Sequence, residues 1–290
     1  MSEAPRPVGT LAVVGVGMIG GSVAAAARAA AAARSIVGFD PGEDAAQALA
    51  LGLVDRLCDT LEAAVLEADL VVLAAPVAAI VGMLPAVARA AAPGTVVTDC
   101  GSTKARIARA ADAAFAGRPA RFVAGHPIAG GERSGPAAAQ PGLFAGRRVL
   151  LCPGEAADAP ATAAVEAFWQ RLGARVDRID AVRHDALFAE VSHWPHAAAF
   201  ALAAAIGEGP FGEEAVRAAG AGLRDTTRIA ASDPDLWTGI LLDNREAALV
   251  SARRFREEVE RIVAAIEAGD AQALREAFSR ASRWRRRVLE

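Results

Sequence analysis

Seven short apolar runs, at residues 10–14, 35–39, 70–74, 95–98, 121–124, 148–152 and 175–178, alternate with longer segments rich in alanine, leucine, glutamate and arginine. The runs read as strands and most of the segments between them as helices. Runs such as Leu70-Val-Val-Leu-Ala-Ala75 are apolar at every position rather than every second one. That pattern requires burial on both faces, and so a mostly parallel sheet covered by helices. Beyond Ile179 no strand-like run occurs, and the segments 181–207, 213–231, 234–269 and 271–288 carry helical spacing. The expected fold is α/β: a Rossmann-type, doubly wound, mostly parallel sheet in residues 1–178, followed by an all-α C-terminal domain in residues 179–290. The Pro- and Ala-rich stretch 154–161 reads as a loop inside the first domain.

Composition narrows the function classes. The chain has 290 residues and a net charge of −3, and all but one of its 31 basic residues are arginine, the exception being Lys104. A mildly acidic chain lacks the clustered basic excess that a nucleic-acid partner requires. The basic end, Arg283 to Arg287, reads as a solvated helix face. Cys58, Cys100 and Cys152 are odd in number and form no CxxC pair, which fits a reducing compartment and points to the cytoplasm. The uncharged stretch 70–88 approaches the ~20 residues that span a bilayer. Pro76, Gly82 and Pro85 interrupt it, so it reads as buried strand, turn and helix, and no membrane partner is expected. The chain has no tyrosine, which removes that side chain as an acid or base.

The first strand runs into Gly15-Val16-Gly17-Met18-Ile19-Gly20 and then into an alanine-rich helix. In a dinucleotide fingerprint the first glycine permits the tight turn, the second lets the backbone approach a pyrophosphate, and the third lets the helix pack on the strand. Unpaired N–H groups at the helix N-terminus then face the phosphates. Asp40 ends the second strand about twenty residues beyond the last glycine, where a carboxylate accepts the ribose 2′-hydroxyl and repels a 2′-phosphate. The expected cofactor is NAD, with Arg34 as a residue that would accommodate the phosphate of NADP instead. The ends of later strands, Ala75-Pro76 and Asp99 to Ser102, complete the crevice.

Four segments combine titratable residues with glycine or proline: Asp99-Cys-Gly-Ser102-Thr-Lys104, Gly125-His126-Pro-Ile-Ala-Gly130 leading to Glu132, His184-Asp185 with Ser192-His193-Trp-Pro-His196, and Arg224-Asp-Thr-Thr-Arg228 through Trp237. With these four motifs in this order, nearly the whole chain resembles the TyrA family of prephenate, arogenate and cyclohexadienyl dehydrogenases. The resemblance implies oxidative decarboxylation of a small-molecule cyclohexadienyl substrate. A ring carbinol passes hydride to the nicotinamide while the ring carboxylate leaves as carbon dioxide. It also implies a homodimer built through the helical domain.

The same resemblance implies roles for single residues. His126 matches the catalytic histidine that accepts the ring hydroxyl's proton, a task that an imidazole suits at neutral pH. Ser102 matches the serine that orients that hydroxyl, with an N-cap of a helix from Thr103 as its structural reading. Arg228 matches the arginine that binds the ring carboxylate, work suited to a planar, bidentate, always-charged donor. His193 matches the histidine near the substrate's side chain. Arg224 and His196 read as structural, one through ion pairing and one through packing. Glu132 has two readings, an ammonium partner that would favour arogenate or a surface acid. Lys104 reads either as a loop anchor or as a substrate contact. Glu190, His193 and His196 share a helical spacing that metal ligands use. With Pro195 in that turn and no fourth ligand, no metal is expected.

Overall fold

The computed structural model of the chain describes residues 7–131 and 133–289. Glu132, and with it the substrate-selecting role considered above, lies outside the described residues. Eight strands form one sheet: β1 (Val8–Val14), β2 (Ala33–Phe39), β3 (Arg56–Leu57), β4 (Leu70–Leu73), β5 (Val96–Asp99), β6 (Arg121–Pro127), β7 (Arg148–Cys152) and β8 (Arg175–Arg178). Their order is β3-β2-β1-β4-β5-β6-β7-β8. All neighbouring pairs are parallel except β6 and β7. The seven apolar runs of the sequence are seven of these strands. The eighth, β3, is two residues at the sheet edge, too short to leave an apolar run.

Helices α1 (Met18–Ala29), α2 (Asp44–Ala50), α3 (Leu61–Leu66), α4 (Val77–Ala90), α5 (Ala105–Phe115) and α6 (Ala159–Arg171) connect the strands. One hydrophobic cluster joins β4 and β5 to α4 and α5, and a second joins β1 and β2 to α1 and α6. Burial on both faces is why the strands are apolar throughout: Leu70, Val71, Val72 and Leu73 are all buried. The stretch 70–88 is indeed β4, a turn and most of α4, and among the described residues no helix is long and apolar enough to cross a membrane. The loop expected over 154–161 is shorter than read, because Asp158 caps α6 by accepting from the Ala161 amide at 2.9 Å.

After β8 the chain is helical: α7 (Ala181–Phe188), a π-helical turn Ala189–His193, α8 (Trp194–Gly207), α9 (Gly212–Ala218), α10 (Ala221–Thr227), a 3₁₀ turn Arg228–Ala231, and α11 (Pro234–Asp243). The long helical segments read from the sequence are broken more often than their spacing showed, at Ala219-Gly220 and at Asn244. Residues up to Asn244 form one compact unit, and Arg245–Glu290 a second. The second unit contains α12 (Arg245–Glu267) and α13 (Ala271–Leu289), joined by a turn in which Gly269 adopts φ +63°.

Candidate active site

Strand order reverses direction at the β1/β4 boundary, and the crevice beyond the carboxyl ends of these strands is where open α/β sheets bind nucleotides. The sequence fingerprint occupies that place. Gly15 follows β1 at φ +87°, and a Cβ there would meet the Ala74 carbonyl oxygen at 2.4 Å. Gly20 packs so closely that a Cβ would stand 1.8 Å from the Gly15 carbonyl oxygen. Gly17 meets only Asp44 Oδ2, at 3.3 Å, so its backbone is open to a ligand. As N-cap of α1 it offers no side-chain acceptor to the first-turn amides of Met18 and Ile19. This is a cradle for a pyrophosphate in both shape and charge.

Asp40 follows β2. Its Oδ2 accepts the Val16 amide at 3.0 Å and its Oδ1 the Gly42 amide at 2.8 Å, which leaves each oxygen a further lone pair for a ribose hydroxyl. Burial and the carboxylates of Asp40 and Glu43 push the Asp44 carboxyl upward, so the rim around Asp40 is acidic. Arg34 lies at the other end of β2. Six residues at about 3.3 Å each separate it from Asp40, about 20 Å, and it is not available to the same ribose. Ala75 is half-buried and Pro76 exposed where β4 turns into α4.

The second half of the site is built around β6. His126 lies near its end, and its Nδ1 is 2.9 Å from Nε2 of His184 on α7. His184 Nδ1 is in turn 2.8 Å from Asp185 Oδ1. Asp185 also accepts the backbone amides of Lys104 at 2.7 Å and Ala105 at 2.9 Å, so it caps α5 from another element. Burial opposes ionisation of Asp185, but the His184 bond and the two amides outweigh it and hold the carboxyl below its ordinary range. The tautomers follow. An ionised carboxylate can only accept, so His184 donates from Nδ1 and presents a lone pair at Nε2. His126 then donates from Nδ1, which leaves its Nε2 as a free acceptor.

Burial, with His184, Lys104 and His193 nearby, holds the His126 imidazole well below its usual range. His184 is lowered too, mainly by burial and against the pull of Asp185. Both rings are therefore neutral near pH 7. Phe188 holds the pair in place, stacked on His184 at 4.4 Å between centroids and tilted against His126 at 4.9 Å. His184, Asp185 and Phe188 were given no role from the sequence. The His-Asp pair was visible there, but no spacing along the chain places it against His126, 58 residues away.

Lys104 and Asp99 form a buried ion pair, both side chains with no exposure. Lys104 Nζ also donates to the Gly125 carbonyl at 2.6 Å. Of its two sequence readings, loop anchor is the one the geometry realises. Ser102 is half-buried and its hydroxyl has no protein partner among the described residues. It is not an N-cap, because α5 begins at Ala105 and Asp185 performs that task.

The helical elements bring further residues together. His193 is 1% exposed, with Nδ1 3.0 Å from Asn244 Nδ2. Asn244 gives its other amide hydrogen to the Asp185 carbonyl at 2.7 Å, so His193 Nδ1 accepts and Nε2 carries the proton. That buried Nε2–H has no partner among the described residues. Burial pushes the His193 imidazole down to about 4. His196 donates from Nδ1 to the Ser192 carbonyl at 2.8 Å and stacks on Trp237 at 3.5 Å between centroids. Burial and the positive charge of Arg228 lower it, which places Arg228 in its electrostatic reach. Of the two histidines, His193 is the more deeply packed, and His196 is the one on which the charge of Arg228 acts. Arg224 is exposed and makes no ion pair among the described residues. Among those residues no three His, Cys, Asp or Glu side chains gather to hold a metal, Glu190, His193 and His196 included.

Two family models match the chain: the nucleotide-binding domain of prephenate dehydrogenase over residues 23–178, and the dimerization domain of prephenate dehydrogenase over residues 180–280. Cyclohexadienyl dehydrogenase of Zymomonas mobilis is 33% identical over 280 residues, 95% of this chain and 94% of that protein. Prephenate dehydrogenase of Bacillus subtilis is 34% identical over 282 residues, 95% of this chain and 75% of that protein. Among solved structures, prephenate dehydrogenase from Aquifex aeolicus in complex with hydroxyphenyl propionate and NAD+ has a TM-score of 0.89 at 29% identity, covering 98% of this chain and 99% of that one. Arogenate dehydrogenase from Synechocystis has a TM-score of 0.80 at 26% identity, covering 96% and 99%.

Proposed function

This chain belongs to the prephenate dehydrogenase family, and from that premise we propose that it catalyses the NAD-dependent oxidative decarboxylation of prephenate to 4-hydroxyphenylpyruvate. The observation that carries the reading is the chain from His126 through His184 to Asp185, which leaves His126 Nε2 unprotonated at neutral pH. Bound NAD+ supplies the hydride acceptor. Gly15, Gly17, Gly20 and the first-turn amides of α1 hold its pyrophosphate, and Asp40 holds the adenosine ribose. Ala75 and Pro76 line the crevice between them and the reacting ring.

In this reading the substrate's ring hydroxyl donates to His126 Nε2, and Ser102 orients both groups. As the carbinol carbon loses hydride, His126 takes the hydroxyl proton and becomes an imidazolium. That charge is stabilised along the hydrogen bonds to His184 and Asp185, the logic by which a buried carboxylate supports an imidazole base. Arg228 binds the ring carboxylate until it departs as carbon dioxide. His193, whose Nε2–H has no partner among the described residues, serves the substrate's side-chain end. Aromatisation drives the reaction, so the protein's share is alignment and proton transfer.

The matched dimerization domain and the apolar surface of the helices support a homodimer, with the domain boundary at residues 178 and 179. In α8 only Ala199 is buried although the helix is almost wholly apolar, and Phe211 and Val216 are 67% and 73% exposed. Assay with prephenate and arogenate, each with NAD and NADP, tests the reading. Prephenate with NAD should turn over, and NADP should be at least about 100-fold poorer in kcat/KM, because a phosphate beside Asp40 meets like charge worth several kcal/mol. His126→Asn should lower kcat by roughly 10²–10⁴. No turnover of either ring substrate, or near-normal turnover in His126→Asn, would refute it.

A further inference from the structure

We propose that Lys104, paired with Asp99, is a positioning residue for the base, holding His126 and its carboxylate partner from two sides at once; the inference rests on the proposed role of His126. The pair grips the peptide immediately before the base. Asp99 Oδ1 accepts the Gly125 amide at 3.0 Å, and Lys104 Nζ donates to the Gly125 carbonyl at 2.6 Å. Both polar groups of one residue are thus fixed by opposite charges of one ion pair. Asp99 Oδ2 also accepts the Gly101 amide at 2.8 Å, which binds the Ser102 loop into the same knot.

The fit leaves no slack. A Cβ on Gly125 would meet the Asp99 carbonyl oxygen at 2.9 Å, and one on Gly101 would meet Asp99 Oδ2 at 2.9 Å and Lys104 Nζ at 3.4 Å. The backbone of Lys104 meanwhile donates to Asp185 Oδ1, the oxygen that His184 Nδ1 uses. One residue therefore fixes the main chain of the base through its ammonium and the far end of the histidine chain through its amide. A structural role for a fully buried lysine would need only a counter-ion. Here the partners belong to both ends of the hydrogen-bond chain that supports the base.

The ammonium also sets the charge around the base. Lys104 and His193 face His126, as does His184. Lys104, Asp99 and Asp185 act on His184. The ammonium disfavours a second positive charge on either ring, whereas Asp99 and Asp185 favour one on His184. Removing the ammonium alone takes a like charge away from His126 and leaves the carboxylates unopposed at its hydrogen-bonded partner His184, so the base should then hold its proton to higher pH.

Two variants separate these effects, Lys104→Met and the double variant Asp99→Asn/Lys104→Met, which leaves no uncompensated buried charge. Each is compared with the parent and with His126→Asn for melting temperature, kcat, KM for NAD and the pH profile of kcat. Lys104→Met should lose roughly 10- to 100-fold in kcat, the scale of an ångström-level misplacement. Its KM for NAD should stay within about twofold, and the acidic limb of its profile should move to higher pH. In the double variant the limb should return toward the parental position while kcat remains low. If Lys104→Met does not accumulate folded, the low kcat and parental limb of the double variant carry the test. A folded variant of either kind with parental kcat overturns the proposal, as does a kcat loss in Lys104→Met without movement of the limb. His126→Asn distinguishes the two failures: if it is active the base reading falls, and if it is inactive while Lys104→Met is normal only the present inference falls.

Discussion

At the scale of single residues, the site sets imidazoles held neutral by burial beside groups that carry charge. Arg228 is exposed on a 3₁₀ turn and offers a planar, bidentate donor, so it is suited to a substrate that arrives with a carboxylate. Arg228→Ala should raise KM for the ring acid about tenfold or more with a smaller change in kcat, through loss of a charge-assisted, bidentate contact. Steady-state kinetics with prephenate check this, and an unchanged KM would assign the carboxylate to another cation such as Arg224. Ser102 and His126 stand out in the sequence because each follows a glycine at the end of a strand, whereas His193 and Arg228 lie in helical turns and are marked only by their motifs. What the sequence did not show was how their atoms connect. Whether His193 or His196 is the packed ring depends on Asn244, 51 residues beyond His193, and on the stacking of His196 against Trp237.

At the scale of elements, close approach explains the glycines better than flexibility does. Gly20 is helical, but its Cα stands against the turn that begins at Gly15. Gly20→Ala should destabilise the fold by about 1–3 kcal/mol through overpacking and should weaken NAD binding, because relief of the clash moves α1 away from β1. Chemical denaturation and NAD titration measure both, and a variant with unchanged stability and affinity would contradict the packing argument. Strands were legible because burial on both faces writes a continuous apolar run. The two-residue β3 has no such run, and the π-helical turn before α8 has no composition of its own. Pro195 marked the place, but it is accommodated in the first turn of α8, where its missing N–H costs nothing.

At the scale of the whole molecule, the chain has four histidines, and all four are held below their ordinary pKa by burial first of all. A histidine lowered in the folded state binds fewer protons there than in the unfolded chain once the pH drops below about 6.5. The stability it contributes is complete above that value and is lost as the pH falls toward the folded pKa. For His193, lowered to about 4, the loss by that pH is about 3 kcal/mol. Unfolding midpoints in urea should therefore fall steadily from pH 7 to pH 4.5, and a flat profile would contradict the burial of these rings. Fold class was legible at this scale, since the apolar runs and the helical spacing after them can be read along the chain. The hydrogen-bond chain from His126 through His184 to Asp185 was not, because it closes only when α7 docks on β6 and α5. Asp185 makes that docking directly observable: it accepts the amides of Lys104 and Ala105, which at a helix start have no partner within the helix. Their protection reports, in the resting protein and without substrate, whether the carboxylate behind the base is in place.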